Sequence, residues 1–318
     1  PILATLMIDG CAYDEAIKQL ITLRNKNPKS PRVYKLLGTA YVLFNHEEEA
    51  LIEMNRAREL APDDVEIYFN LGGLYLLRDM FSSAMDCFEK VIELDPTDTM
   101  AYANLAAAYD MLKLYDKSII SLKKVLMFNP EDKELRAALS NAYFNAERYE
   151  EAIDAAQVVV EIDDKDPQAF CNLGNCYSVL SMVDDAMDAF KKASELAPDY
   201  SLPHTNLGTL YANMGRPETA LKEFKLAVGM NSQDTAAWLN LYNCYKEVGL
   251  MEDSQNAYRK YEALMEAPAL ASTGATEGEN PSNIPGGVSQ TGGYAGGGDM
   301  DGNAPGMEAL TDEEPGTS

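Results

Sequence analysis

Cationic side chains are scarce in this chain and stop altogether after Lys260. Lysine and arginine number 26 against 51 aspartates and glutamates, a formal charge of −25 over 318 residues. A nucleic-acid binder needs clustered cations to neutralise phosphates, and docking on anionic lipid needs the same, so neither is expected. Histidine is nearly missing: only His46 and His204 occur. With so few general bases, no Ser–His–Asp arrangement can be assembled, and the chain reads as a non-enzyme. No GxxxxGK(S/T) loop is present, and the glycines at 296–298 have no strand or lysine beside them. The five cysteines, Cys11, Cys87, Cys171, Cys176 and Cys244, form no CxxC pair and no Cys/His cluster. No metal and no cofactor are therefore expected. An odd cysteine count without a pairing pattern, and no N-x-S/T sequon, point to a reducing, cytoplasmic compartment. No apolar run reaches the ~18 residues that a membrane-spanning helix needs. The opening PILATLMIDG lacks both a basic stretch and a starting Met. No signal peptide is read there, and a fragment, a processed form or an envelope location stays open.

Composition changes near Pro268. Residues 267–318 hold 12 of the 21 glycines and eight acids, with no lysine or arginine. Such a segment cannot bury enough apolar surface to offset the entropy of ordering, so it reads as an acidic, disordered, solubilising tail. Its one helix-compatible stretch, MEALTDEE, is too short to be stable alone; folding of that stretch on a partner stays open. Residues 1–266 are the globular part.

That part is periodic. Prolines fall at Pro28, Pro62, Pro96, Pro130 and Pro198, multiples of 34 residues apart. Tyr41, Tyr75, Tyr109, Tyr143, Tyr177, Tyr211 and Tyr245 keep the same period, and so do Leu37, Leu71, Leu105, Leu139, Leu173, Leu207 and Leu241. With the prolines at position 32, full units begin at 31, 65, 99, 133, 167, 201 and 235. A truncated unit with Leu3, Ala4, Met7 and Ala16 in register precedes them. Within one unit Tyr102, Leu105, Ala106 and Tyr109 form one helical stripe, Lys113–Tyr115 a turn, and Ser118, Ile119, Leu122 and Val125 a second stripe. Position 8 is small in most units (Gly38, Gly72, Ala106, Ser140, Gly174, Gly208), and position 20 is small throughout. Small residues there let the paired helices approach, with a large position-24 residue such as Phe88 or Phe190 filling the space. The unit at 133 reads as the weakest, because Arg136 replaces an aromatic and Ala156 a large side chain. The last unit departs at Tyr242, Ser254 and Tyr261, as a capping unit does.

This pattern resembles the tetratricopeptide repeat, a 34-residue helix–turn–helix unit. The resemblance implies an all-α, right-handed superhelix whose first helices line a concave groove, and a role in binding other proteins. Positions 2, 5, 6, 9, 12 and 13 of this family tend to face the groove. Position 6 reads Asn70, Asn104, Ala138, Asn172, Asn206 and Asn240, and position 9 adds Asn141, Asn175 and Asn243. Asparagine is a modest helix former, so its recurrence mid-helix needs a reason. One reading is a ladder of amides that grips the backbone of an extended peptide, similar to that in the repeat region of O-linked N-acetylglucosamine transferase. The other is that asparagine is common at position 6 in this repeat and bonds to its neighbouring helix. Lys35 is read with these asparagines as a peptide-binding residue, and a carboxylate clamp for chaperone C-termini matches only at Lys35 and Asn70. Thr39, Met100 and Asn104 stand where it needs an asparagine and two cations, and the clamp is rejected. Cys176 and Cys244 read as buried thiols and Cys171, at position 5, as a groove residue. His204 reads as a packing residue. The pairs Asp63–Asp64, Asp163–Asp164 and Asp184–Asp185 read as caps and first-turn acids. The function expected is a non-catalytic adaptor or co-chaperone-like scaffold. The repeat region of a larger glycosyltransferase-like enzyme, or a self-assembling scaffold, stays open.

Overall fold

The computed structural model describes residues 13–266, and these form fifteen α-helices. The segment read as a tail and the first helix of the truncated unit both fall outside the described residues. Helix α1 (Tyr13–Lys26) is the second helix of that truncated unit. Seven pairs follow: α2 (Pro31–Leu43) with α3 (Glu47–Leu60), α4 (Val65–Leu77) with α5 (Phe81–Leu94), and α6 (Thr99–Met111) with α7 (Tyr115–Leu126). Then come α8 (Lys133–Asn145) with α9 (Tyr149–Ile162), α10 (Pro167–Val179) with α11 (Val183–Leu196), α12 (Leu202–Asn213) with α13 (Pro217–Met230), and α14 (Thr235–Val248) with α15 (Met251–Glu266).

Each boundary has a local cause. At position 34 Asp64, Asp98, Asp132, Asp166 and Asp234 turn their carboxylates onto free amide N–H groups of the following helix, at 2.9–3.3 Å. A cap of this kind is worth ~1 kcal/mol. Tyr200 holds that position before α12, which starts one residue later, from Ser201, without a side-chain cap. The first helix of every pair ends the same way. Position 15 (Asn45, Asp79, Lys113, Glu147, Ser181, Gly215, Gly249) adopts positive φ, between 54° and 84°. The next N–H then reaches back to the carbonyl of the position-11 tyrosine at 2.8–2.9 Å, closing a Schellman turn.

Packing within a pair is a volume match between positions 8 and 24. A methyl group at Gly72 would lie 2.7 Å from the Phe88 ring, one at Gly174 2.5 Å from Phe190, and one at Gly208 2.6 Å from Phe224. Those rings are almost fully buried. Where position 8 grows to Ala106 the partner shrinks to Leu122, and Ser140 goes with Ala156. The unit at 133 is thus complementary in its own way. Ser140 also donates to the Ala152 carbonyl at 2.8 Å. Arg136 replaces more than an aromatic's bulk: its Nε donates to the Pro130 carbonyl at 2.7 Å, the bond that Tyr34 makes to Pro28 and Trp238 to Ser232.

First helices of neighbouring repeats touch (α2 with α4, α4 with α6, α8 with α10, α10 with α12, α12 with α14). Among the described residues no pair of second helices does so to the same extent. The solenoid therefore curves toward its first helices, and they line its concave face.

Candidate functional site: the concave face

Asn70, Asn104, Asn172, Asn206 and Asn240 sit in the middle of α4, α6, α10, α12 and α14, each half-buried. One turn further along, Asn141 and Asn175 are also half-buried, while Asn243 is exposed. Two of the five position-6 amides are engaged. Asn206 Nδ2 donates across the repeat boundary to Asn175 Oδ1 at 2.9 Å, and Gln168 Nε2 donates to Asn172 Oδ1 at 2.9 Å. Asn70, Asn104 and Asn240 make no side-chain hydrogen bond among the described residues. The engaged amides also keep capacity, since each offers two N–H donors and an oxygen with two lone pairs. Ala138 is fully buried and interrupts the column.

Position 5 is not a groove position here. At Lys35, Cys171 and Thr205 it packs against position 34, the residue that leads into the next repeat, 29 residues on. Lys35 Nζ reaches Asp64 Oδ2 at 3.1 Å and Glu66 Oε2 at 2.5 Å. Burial opposes the charge on Lys35, but the hydrogen bonds and charges of Glu66 and Asp64 outweigh it and hold its pKa above the ordinary lysine value. Lys35, expected among the peptide-binding residues, is therefore occupied as an inter-repeat clasp. Cys171 is fully buried rather than facing the groove; it meets the Tyr200 hydroxyl, and burial pushes its thiol up to about 12. Tyr200 also donates to Gln168, which continues the chain to Asn172. Thr205 donates to Asp234 Oδ2 at 3.4 Å. The signal that could have found this clasp is the aspartate column at position 34, which the sequence reading left unused.

Elsewhere the expected roles divide. His204 is half-buried with its Nδ1 2.8 Å from Glu223 Oε2. Asp64 caps α4, whereas the cap of α10 is Asp166 and not the Asp163–Asp164 pair. Asp163 instead receives Lys133 at 2.9 Å. Asp184 and Asp185 occupy the first turn of α11. Cys176 and Cys244 are buried. Among the described residues no three metal-ligating side chains come together, and no helix is long and apolar enough to cross a membrane.

Tetratricopeptide-repeat family models match residues 65–98 and 167–200, residues 87–120 and 189–222, and residues 113–170. The chain belongs to the tetratricopeptide-repeat family. Its structure is similar to the C-terminal part of a repeat-containing protein from Cytophaga hutchinsonii, with 16% identity, 75% of this chain and 98% of that one covered, and a TM-score of 0.60. MamA from Desulfovibrio magneticus, residues 41 to the end, aligns at 24% identity over 52% of this chain and 94% of its own, with a TM-score of 0.50. YrrB, described as a TPR protein with an unusual peptide-binding site, aligns at 24% identity over 58% of this chain and 95% of its own, with a TM-score of 0.47. Among curated protein sequences none matches significantly.

Proposed function

We propose that the protein is a non-catalytic scaffold that binds an extended segment of another protein along its concave face. The observation that supports this is the set of half-exposed amides at Asn70, Asn104 and Asn240, which recur at one position of the inner helices and have no partner in the described chain. An amide row presents donors and acceptors in alternation without net charge, which suits a peptide backbone more than any particular side chain. Each contact contributes about 0.5–1.5 kcal/mol net, so affinity has to be collected over several repeats. Loss of all three amides should weaken a partner by roughly 10² if the effects add, because each 1.4 kcal/mol is about tenfold.

The test is to recover a partner with the whole chain, identify it by mass spectrometry, and titrate it against wild type and the triple variant Asn70→Ala, Asn104→Ala, Asn240→Ala. Helicity should be unchanged, since alanine is the better helix former and no internal hydrogen bond is broken. Binding should depend little on salt. Unchanged affinity in the folded variant removes the groove reading.

A further inference from the structure

The first and last full repeats carry equivalent hollows between their second helix and that of the preceding repeat, one lined by balanced charge and the other by an excess of cations. At the first, position 4 is Tyr34, position 23 Glu53, position 26 Arg56 and position 29 Glu59, with Arg24 coming from the preceding helix. Arg24 pairs with Glu53 and Arg56 with Glu59, so every cation is neutralised in place. At the last, position 4 is Trp238, and both carboxylate positions, 23 and 29, have become alanine, Ala257 and Ala263. The cations are now Lys225, Arg259 and Lys260, against the single acid Asp253. Among the described residues none of the three makes an ion pair; Lys225 lies over the Tyr245 ring at 5.2 Å. In a body with 43 acids to 26 cations, this is an uncompensated basic hollow with an apolar floor of Trp238, Leu241 and Tyr245.

We propose that the chain's own residues 307–314, MEALTDEE, occupy this hollow. Their carboxylates replace those that the last repeat lacks, and Met307 and Leu310 meet the Trp238–Leu241–Tyr245 floor. Charge complementarity supports this occupant, because residues 267–318 contain eight acids and no cation. So does reach. The hollow lies along α15, which ends at Glu266. A linker of about 40 residues with Gly-rich composition has an r.m.s. span of ~35 Å, longer than the ~24 Å of that helix. Tethering holds the segment at an effective concentration on the order of 1 mM, so an intrinsic affinity of roughly 0.1 mM suffices for about nine-tenths occupancy. None of the asparagines of the column lines the hollow, so the proposal does not depend on the groove reading.

The test uses the full chain at low concentration with a glutamate-specific protease. Glu277 and Glu279 in the linker serve as the internal reference. Cleavage at Glu308 should be about tenfold slower than at the reference sites, matching nine-tenths occupancy. Protection should disappear at 1 M salt, where the Debye length is ~3 Å. It should also disappear in Lys225→Glu, Arg259→Glu, Lys260→Glu and, with the body untouched, in Asp312→Asn, Glu313→Gln, Glu314→Gln. Equal cleavage at Glu308 and Glu277 in wild type overturns the proposal, as does protection that survives both variants. Protection that fades on dilution assigns the hollow to the tail of a second copy and overturns the intramolecular assignment.

Discussion

The repeat at 167 and the repeat at 235 carry the same helical pair with opposite solutions to one packing problem. In the first, Gly174 leaves a space that the Phe190 ring fills, and that ring is 1% exposed. In the second, Tyr242 occupies the space itself. Tyr258, the counterpart of Phe190, lies against Tyr242 with the ring planes tilted by 53° and the centroids 5.1 Å apart, and it is 40% exposed. An inner repeat is held on both sides and must meet both neighbours at a set spacing, so its helices have to close tightly. The last described repeat has a neighbour on one side only. Its second helix has no further described neighbour on its outer side, so a large residue at position 8 is tolerated with the position-24 ring left partly exposed.

The largest effect that can break this comparison is a truncation at position 24. Phe190→Ala should cost about 3–5 kcal/mol in chemical denaturation, the range for a buried aromatic. Tyr258→Ala should cost well under about 1 kcal/mol. Equal costs would mean that the terminal ring is as structural as the inner one. Next comes Gly174→Ala. A methyl group there meets the Phe190 ring at 2.5 Å, and overpacking should cost about 1–3 kcal/mol despite alanine's better helix propensity. Adding Phe190→Leu should recover most of that loss, because it recreates the Ala106–Leu122 combination. A double-mutant cycle without coupling would show that the two positions are independent.

Position 12 gives a contrast in charge. The last repeat carries the exposed Lys246 there, whereas the repeat at 99 carries Asp110, whose Oδ1 is buried without a hydrogen-bond partner. Burial pushes the Asp110 carboxyl up to about 6, against the opposing pull of the Ser118 hydroxyl. The folded chain therefore keeps this proton where the unfolded chain, with an ordinary value of 3.8, has lost it. The favourable contribution is present below the unfolded value and is lost as pH rises through about 6. Asp110→Asn should accordingly stabilise the protein at pH 8 by about 1–2 kcal/mol, allowing for partial exposure, with the gain shrinking as pH falls toward 4. A gain independent of pH would trace to packing instead.

The smallest expected effect concerns the turn between paired helices. The last two repeats place Gly215 and Gly249 at the left-handed position, and the five before them use residues with side chains. Lys113→Gly should gain about 0.5 kcal/mol, because relief of left-handed strain slightly exceeds glycine's entropic cost. Gly249→Ala should lose about 1 kcal/mol. Thermal unfolding followed by circular dichroism resolves both, and opposite signs would remove strain as the explanation.

The 34-residue period, the helical stripes and the small-against-large pairing were legible in the chain because each reflects an environment that recurs in every unit. A residue's column shows how buried it is and which partner volume suits it. Position 5 shows where that logic stops. Lys35, Cys171 and Thr205 share a column, yet what stands opposite each is residue 64, 200 or 234, a contact made only when successive repeats stack. The asparagine column divides for the same reason. Its recurrence is visible in the sequence, but whether an amide is engaged, as Asn206 is with Asn175, or left without a partner, as Asn70, Asn104 and Asn240 are, depends on the side chain one repeat away. The two end hollows share positions, but one holds paired charges and the other unpaired cations over an apolar floor. Periodicity tells which residues have equivalent surroundings; the partner across the repeat boundary is decided by the stacking itself.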